Sequence, residues 1–156
     1  MQLSLSSDYA CRVLIFLSVQ EKSSIPEIAE RFSISQNHLV KVVHRLSGLG
    51  YLKTTRGRGG GLTLAKPPHE ITVGEVIRKM EPHLDLVECF NEEKNACVIT
   101  GACGLKHLLK SATVAFLSKL DSCTFEQISA RKRALRSSLF NSSGSRKEGA
   151  GSSAPS

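Results

Sequence analysis

A mainly α-helical chain with one small β-hairpin is what the sequence predicts, and three observations carry that reading. Apolar residues recur three or four apart through much of the chain, the period of an amphipathic helix. Residues 51–65 break that period with two short apolar runs around a glycine-rich link, the pattern of a hairpin. Ser or Thr followed three residues later by Glu occurs at Ser24 and Thr72, which marks two helix starts. At 156 residues and 40% hydrophobic composition, the chain suits one domain with an appended helix and is too short for two full domains.

The first helix is expected over residues 8–19, capped by Ser6 or Ser7, with Val13, Leu14 and Leu17 facing inward. The second opens with the capping box Ser24-Ile25-Pro26-Glu27 and carries Ile28, Ala29 and Phe32. A turn through Ser33 and Ile34 leads to Ser35, a second N-cap, and to a third helix over residues 36–48. Leu39, Val42, Val43 and Leu46 lie on one face of it, and Gly50 suits its C-terminal stop. Strands are expected over residues 51–55 and 62–65, joined by Arg56-Gly57-Arg58-Gly59-Gly60-Gly61. Thr72-Val73-Gly74-Glu75 opens a short helix that stops near Pro82. Residues 84–103 read as irregular. A long amphipathic helix over residues 105–120 follows, its stripe made of Leu105, Leu108, Leu109, Ala112, Phe116 and Leu120. Thr124 caps one last helix bearing Ile128, Leu135 and the basic residues Arg131, Lys132, Arg133 and Arg136. From residue 141 the chain is Ser, Gly, Ala and charge without apolar periodicity, and is expected to be disordered.

Helix, helix, turn, helix and hairpin is the order of a winged helix-turn-helix, whose third helix enters the DNA major groove. Charge agrees with that order. The net charge is +7, and residues 31–66 hold Arg31, Lys41, Arg45, Lys53, Arg56, Arg58 and Lys66 with no Asp or Glu. Such a stretch makes a local field suited to a polyanion. With the apolar face of the third helix turned inward, Gln36, Asn37, His38, Lys41, His44 and Arg45 point away from the core. Gln and Asn pair bidentately with adenine edges, and Lys and Arg with phosphates or guanine. The N-terminus of the helix behind Ser35 is a phosphate seat. Arg56 and Arg58 on a slim glycine loop suit a narrow minor groove.

The cysteines form a second constellation. Cys89, Cys97 and Cys103 follow C-x7-C-x5-C in the irregular segment before the long helix. No apolar run reaches membrane-span length and no signal-peptide regions open the chain, so a cytoplasmic, thiol-reducing setting is expected. Three thiolates there suit an iron–sulfur cluster or zinc. Cys11 and Cys123 sit beside apolar positions and read as small core residues. No nucleophile is paired with a base in a recognisable motif, and no phosphate-binding strand-to-helix loop is present, so the chain does not read as an enzyme.

The wing and following helix, Arg56-Gly57 through Gly60-Gly61-Leu62-Thr63-Leu64-Ala65-Lys66-Pro67 with Ile71, Val73, Gly74, Glu75 and Val76, resemble those of the Rrf2 family. The start, Leu5-Ser6-Ser7-Asp8-Tyr9-Ala10, and the segment Ser35-Gln36-Asn37-His38-Leu39-Val40-Lys41 resemble it too. The resemblance covers residues 1–140. It implies a homodimer that clasps a palindromic operator, with the long helix supplying much of the dimer contact, and an iron–sulfur cluster on the three cysteines. Cys97 through Lys106 and the opening Ser7-Asp8-Tyr9 with Arg12 are similar to the nitric-oxide-responsive repressors of the family. The first cysteine spacing is longer than in its iron–sulfur-biogenesis regulators, which carry a histidine where Lys106 stands here; His107 is one step later. In the nitric-oxide-responsive members an aspartate at the position of Asp8, donated by the partner subunit, is implied as fourth cluster ligand. The alternative for Asp8 is a helix-dipole or i,i+4 partner of Arg12, and His107 is a rival fourth ligand that reads otherwise as a surface histidine on a helix.

The resulting expectation is a homodimeric repressor with a 4Fe–4S cluster, preferred over 2Fe–2S, that releases double-stranded DNA when nitric oxide attacks the cluster. Residues 1–82 form its DNA-binding domain, 83–104 its cluster loop, 105–140 its dimerisation and C-terminal helices, and 141–156 a tail. Alternatives are an iron-status, thiol or zinc sensor within the same class, and an iron–sulfur electron-transfer protein outside it. Electron transfer does not need the acid-free stretch.

Overall fold

A computed structural model of the chain describes residues 2–57 and 59–140; the expected disorder of residues 141–156 lies outside them. Seven helices and a two-stranded antiparallel hairpin are described, in the order α1 (Leu5–Val19), α2 (Ile25–Phe32), α3 (Gln36–Gly48), β1 (Leu52–Thr55), β2 (Gly61–Leu64), α4 (Val73–Met80), α5 (Gly104–Asp121), α6 (Phe125–Ile128) and α7 (Lys132–Phe140). The fold is thus mainly α with a small β wing, as expected.

Helix α1 starts one turn before the expected residue 8. Its N-cap is Ser4, whose hydroxyl accepts from the Ser7 backbone N–H at 3.3 Å. Ser7 is buried instead of capping, and Ser4 N–H donates to Glu81 Oε1 at 2.8 Å. Ala10, Val13, Leu14, Phe16 and Leu17 then place one face of α1 in the core. Burying each of the larger of these side chains contributes about 1.5–3 kcal/mol.

Ser24 caps α2 as read, accepting from the Glu27 N–H at 3.3 Å. The return arm differs, because the Glu27 carboxylate accepts from the Ser23 hydroxyl at 2.6 Å. The helix-turn-helix corner is a Schellman motif. Ser33 is left-handed at φ 53°, Ile34 N–H reaches Ala29 O at 2.9 Å, and Ser33 N–H reaches Glu30 O at 3.2 Å. Ile34 is buried there. Gly50, at φ 77°, then turns the chain out of α3.

The wing pairs Leu52 with Leu64 and Thr55 with Gly61. Tyr51 leaves the expected strand and is fully buried. A bridge from Ser23 to Leu62 ties the base of the wing to the α1–α2 connection.

Thr72 caps α4, accepting from the Glu75 N–H at 3.2 Å. Gly74 lets α4 lie against the end of α5: a Cβ there would come within 2.1 Å of Asp121 Oδ1. Arg78 grips the same carboxylate with two hydrogen bonds of 2.5 Å and holds its pKa below the ordinary value.

The single last helix expected after Thr124 is two. Thr124 and Gln127 make a full capping box at 2.8 and 3.3 Å. Phe125, fully buried, draws α6 into the core, where its N–H bonds Ile71 O at 2.9 Å. The chain breaks after Ile128, and α7 returns to α1, with Phe140 against Phe16 at 5.6 Å between centroids. One core therefore joins α1, α2, α3, the wing base, α4 and Phe125. Among the described residues no helix is long and apolar enough to cross a membrane.

Candidate DNA-binding surface and cysteine segment

Leu39, Val42, Val43 and Leu46 are buried and fix which side of α3 is presented. Ser35, Gln36, Asn37, His38, Lys41, His44 and Arg45 are all exposed. Ser35 stands at the N-cap position, but its hydroxyl makes no capping hydrogen bond. Among the described residues no side chain caps the first N–H groups of α3, and such free N–H groups favour an anion. Among the described residues the side chains of Gln36, Asn37, Lys41 and His44 enter no hydrogen bond or ion pair.

Two members of the set are engaged within the chain, which spacing alone did not reveal. The Arg45 guanidinium donates to Lys79 O in the last turn of α4 at 2.7 Å. His38 meets the Tyr9 ring edge-on at 5.6 Å, so the start of α3 rests on α1. At the wing, Arg56 is exposed and Gly57 and Gly59 adopt φ 92° and 77°. A Cβ at Gly60 would strike Thr55 O at 2.2 Å, so the tip admits no side chain there. Arg58 lies outside the described residues.

Asp8 pairs with Arg12 one turn on, at 2.7 Å between Oδ2 and Nη2 and 3.2 Å between Oδ1 and Nε. The Arg12 guanidinium in turn lies 5.8 Å from the Tyr9 and Phe32 ring centroids. Asp8, Arg12, Tyr9 and His38 therefore form one run of contacts from the first turn of α1 to the first turn of α3.

All five cysteines are free and half-buried. Cys11 packs against the core, and burial, then Asp8 and Glu81, push its pKa up to about 11. Cys123 stands at the α5–α6 junction, its backbone oxygen accepting from Val73 N–H at 2.9 Å.

Cys89 lies in a short 3-10 turn, Glu88–Phe90. Cys97 begins a turn pinned by Asn95, whose Oδ1 accepts from Cys97 N–H and the Thr100 hydroxyl, each at 3.1 Å. Cys103 is the N-cap residue of α5 and makes no side-chain cap, so it stands where unpaired N–H groups favour negative charge. Three reduced thiols within fifteen residues of mostly irregular backbone are the donor chemistry of an iron–sulfur cluster. They do not converge in this conformation: among the described residues no group of three or more His, Cys, Asp or Glu is placed to hold a metal. Exposed Val98 and Ile99 lie between two of these cysteines.

Known proteins share this fold. The Rrf2 family profile, described as an iron-dependent transcriptional regulator, matches residues 3–131. The chain is 50% identical over 135 residues to the HTH-type transcriptional regulator NsrR of Bacillus subtilis, covering 85% of this chain and 92% of that protein. It is 47% identical over 142 residues to the NsrR of Geobacillus kaustophilus, covering 89% and 97%. Among solved structures it is similar to CymR, the global cysteine regulator of B. subtilis, at TM-score 0.68 and 27% identity, covering 84% and 98%. It is also similar to T. potens IscR, at TM-score 0.66 and 25% identity, covering 86% and 88%. These relatives are regulators and not enzymes, and on the profile match and these identities the chain belongs to the Rrf2 family of transcriptional regulators.

Proposed function

We propose that this regulator is a homodimeric repressor that reads a palindromic DNA operator and lets go of it in response to nitric oxide. In this reading Gln36, Asn37, His38, Lys41 and His44 of α3 face the major groove, backed by Ser35 and Arg45. Arg56 and Arg58 of the wing face the minor groove. Cys89, Cys97, Cys103 and Asp8 donated across the dimer hold an iron–sulfur cluster, 4Fe–4S in preference to 2Fe–2S. The protein acts in the cytoplasm, where such thiols stay reduced.

The observation that carries the reading is the pairing of an exposed recognition helix with three free thiols that end on the N-cap of α5. Helix α5 also supports the dimer. It has no buried residue, and Leu105, Leu108 and Val114 are 60%, 65% and 59% exposed. Residues 83–104 act as the cluster loop and 105–121 as the dimer contact.

When bound, the cluster supplies an iron open to nitric oxide, because a hard carboxylate is a weakly held ligand beside soft thiolates. The rest of the response lies in the chain. Asp8 cannot keep both carboxylate oxygens on Arg12 while serving as a ligand, so the two states differ in how the start of α1 is held. Tyr9 passes that difference to His38 on α3. A signal acts only through its different fit to two such arrangements.

Iron and acid-labile sulfide in anaerobically purified protein test the cofactor. Both are expected, and both are expected to be lost in Cys97→Ser. Zinc without sulfide would replace this reading with a thiol or zinc sensor.

A further inference from the structure

We propose that the basic face of α7 is a second DNA-contact surface, which grips the duplex flanking the operator core beyond the wing. The proposal extends the DNA-binding reading and rests on it.

Helix α7 is anchored through its C-terminal end. Leu139 and Phe140 pack against the core, and the Arg31 guanidinium lies 5.4 Å from the Phe140 ring centroid. Arg131, Lys132, Arg133 and Arg136 all face solvent, and none is in an ion pair among the described residues. Residues 127–147 hold Arg131, Lys132, Arg133, Arg136, Arg146 and Lys147 and no Asp or Glu. This is a second acid-free basic run, separate from residues 31–66.

Position decides what the run serves. Lys22 joins it to the wing: its ammonium donates to Gly59 O at the tip, and its aliphatic stem lies over Gly61. The same Lys22 lines a groove with Lys132 and Arg136. Arg136 and Arg133 then line a second groove with Glu27 and Phe140. Positive charge therefore runs from Arg56 through Lys22 to α7. Glu21 and Glu27 border these grooves, but Glu27 is already held by Ser23. Lys22, Lys132, Arg133 and Arg136 outnumber the two carboxylates.

A duplex seated on α3 and the wing continues past the wing, and it presents phosphates all along its length. Nine helical residues span about 14 Å, close to four base pairs. An acidic protein segment would also meet the charge, but continuity with the wing favours DNA.

The test uses the full chain and a duplex operator selected from random sequence. Hydroxyl-radical footprints and the salt dependence of binding are compared for the wild type and the Lys132→Gln/Arg133→Gln/Arg136→Gln variant, whose changes all lie on an exposed face. The variant is expected to keep protection of the central positions and to lose it at the outer ones. Its salt slope should shrink by about 0.9 for each phosphate contact removed, with affinity at least about tenfold weaker. An unchanged footprint and slope would overturn the proposal. If that variant instead lost binding to a poly-glutamate peptide, the face would belong to an acidic protein partner. Failure of the wild type to bind any selected duplex would overturn the DNA-binding reading and the proposal with it.

Discussion

Cys11 and Asp8 sit one turn apart on α1, yet burial separates their chemistry. Asp8 is 40% exposed and ion-paired. Cys11 is held as a thiol, its pKa pushed up to about 11 first by burial and then by Asp8 and Glu81. The thiolate is the reactive form, so Cys11 should resist iodoacetamide at pH 7.5 while Cys89, Cys97 and Cys103 of the cluster-free protein are alkylated. Mass-spectrometric mapping reads this directly, and labelling of Cys11 at the same rate would contradict it. The same shift sets a pH dependence. Below about pH 8.5 the thiol is protonated in the folded and unfolded chain alike, and contributes no slope. Above it the unfolded chain ionises first, so stability falls as pH rises towards about 11. The urea midpoint of the wild type should therefore fall more steeply than that of Cys11→Ala over this window. Parallel curves would mean that Cys11 is not held as a thiol.

At the scale of elements, contact between α4 and α5 depends on one missing side chain. A Cβ on Gly74 meets Asp121 Oδ1 at 2.1 Å and the Asp121 backbone nitrogen at 2.8 Å. Rotating a side chain does not relieve the backbone contact. Gly74→Ala gains about 1 kcal/mol of helix propensity but forces the helices apart, an overpacking cost of about 1–3 kcal/mol. A lowered melting temperature is expected, and a raised one would contradict the close approach. Local signals made α2, α3 and the hairpin readable in advance, because each has a cap, a stripe or a glycine turn of its own. They failed where distant contacts chose among equivalents. Ser4, Ser6 and Ser7 all suit a cap, and only the burial of Ser7 and the Ser4–Glu81 bond select Ser4. Residues 129–131 hold no Gly or Pro, so the break between α6 and α7 had no local mark; it follows from Phe125 entering the core. The exposed face of α3 was legible from its stripe, whereas the Arg45 bond to Lys79, 34 residues away, was not. Cysteine spacing marked the segment, but irregular backbone gave no rule for where its thiols point.

At the scale of the molecule, α5 leaves apolar side chains exposed. Leu105, Leu108, Ala112 and Ala115 follow one another three or four residues apart and are all exposed, the spacing of a helix–helix seam. Leu108→Glu should give a monomer in analytical ultracentrifugation, with operator affinity about a hundredfold weaker because two linked half-sites become one. A dimer that survives this change would place the contact elsewhere. In the proposed function the cysteine segment decides when α3 and the wing hold DNA. That role is tested most directly by titrating nitric oxide into anaerobic, cluster-loaded protein bound to its selected operator, while following fluorescence anisotropy of the duplex. Binding is expected to fall as cluster absorbance is lost, and the Cys89→Ser/Cys97→Ser/Cys103→Ser variant is expected to show no response. Operator binding that persists after the cluster absorbance has gone would contradict it.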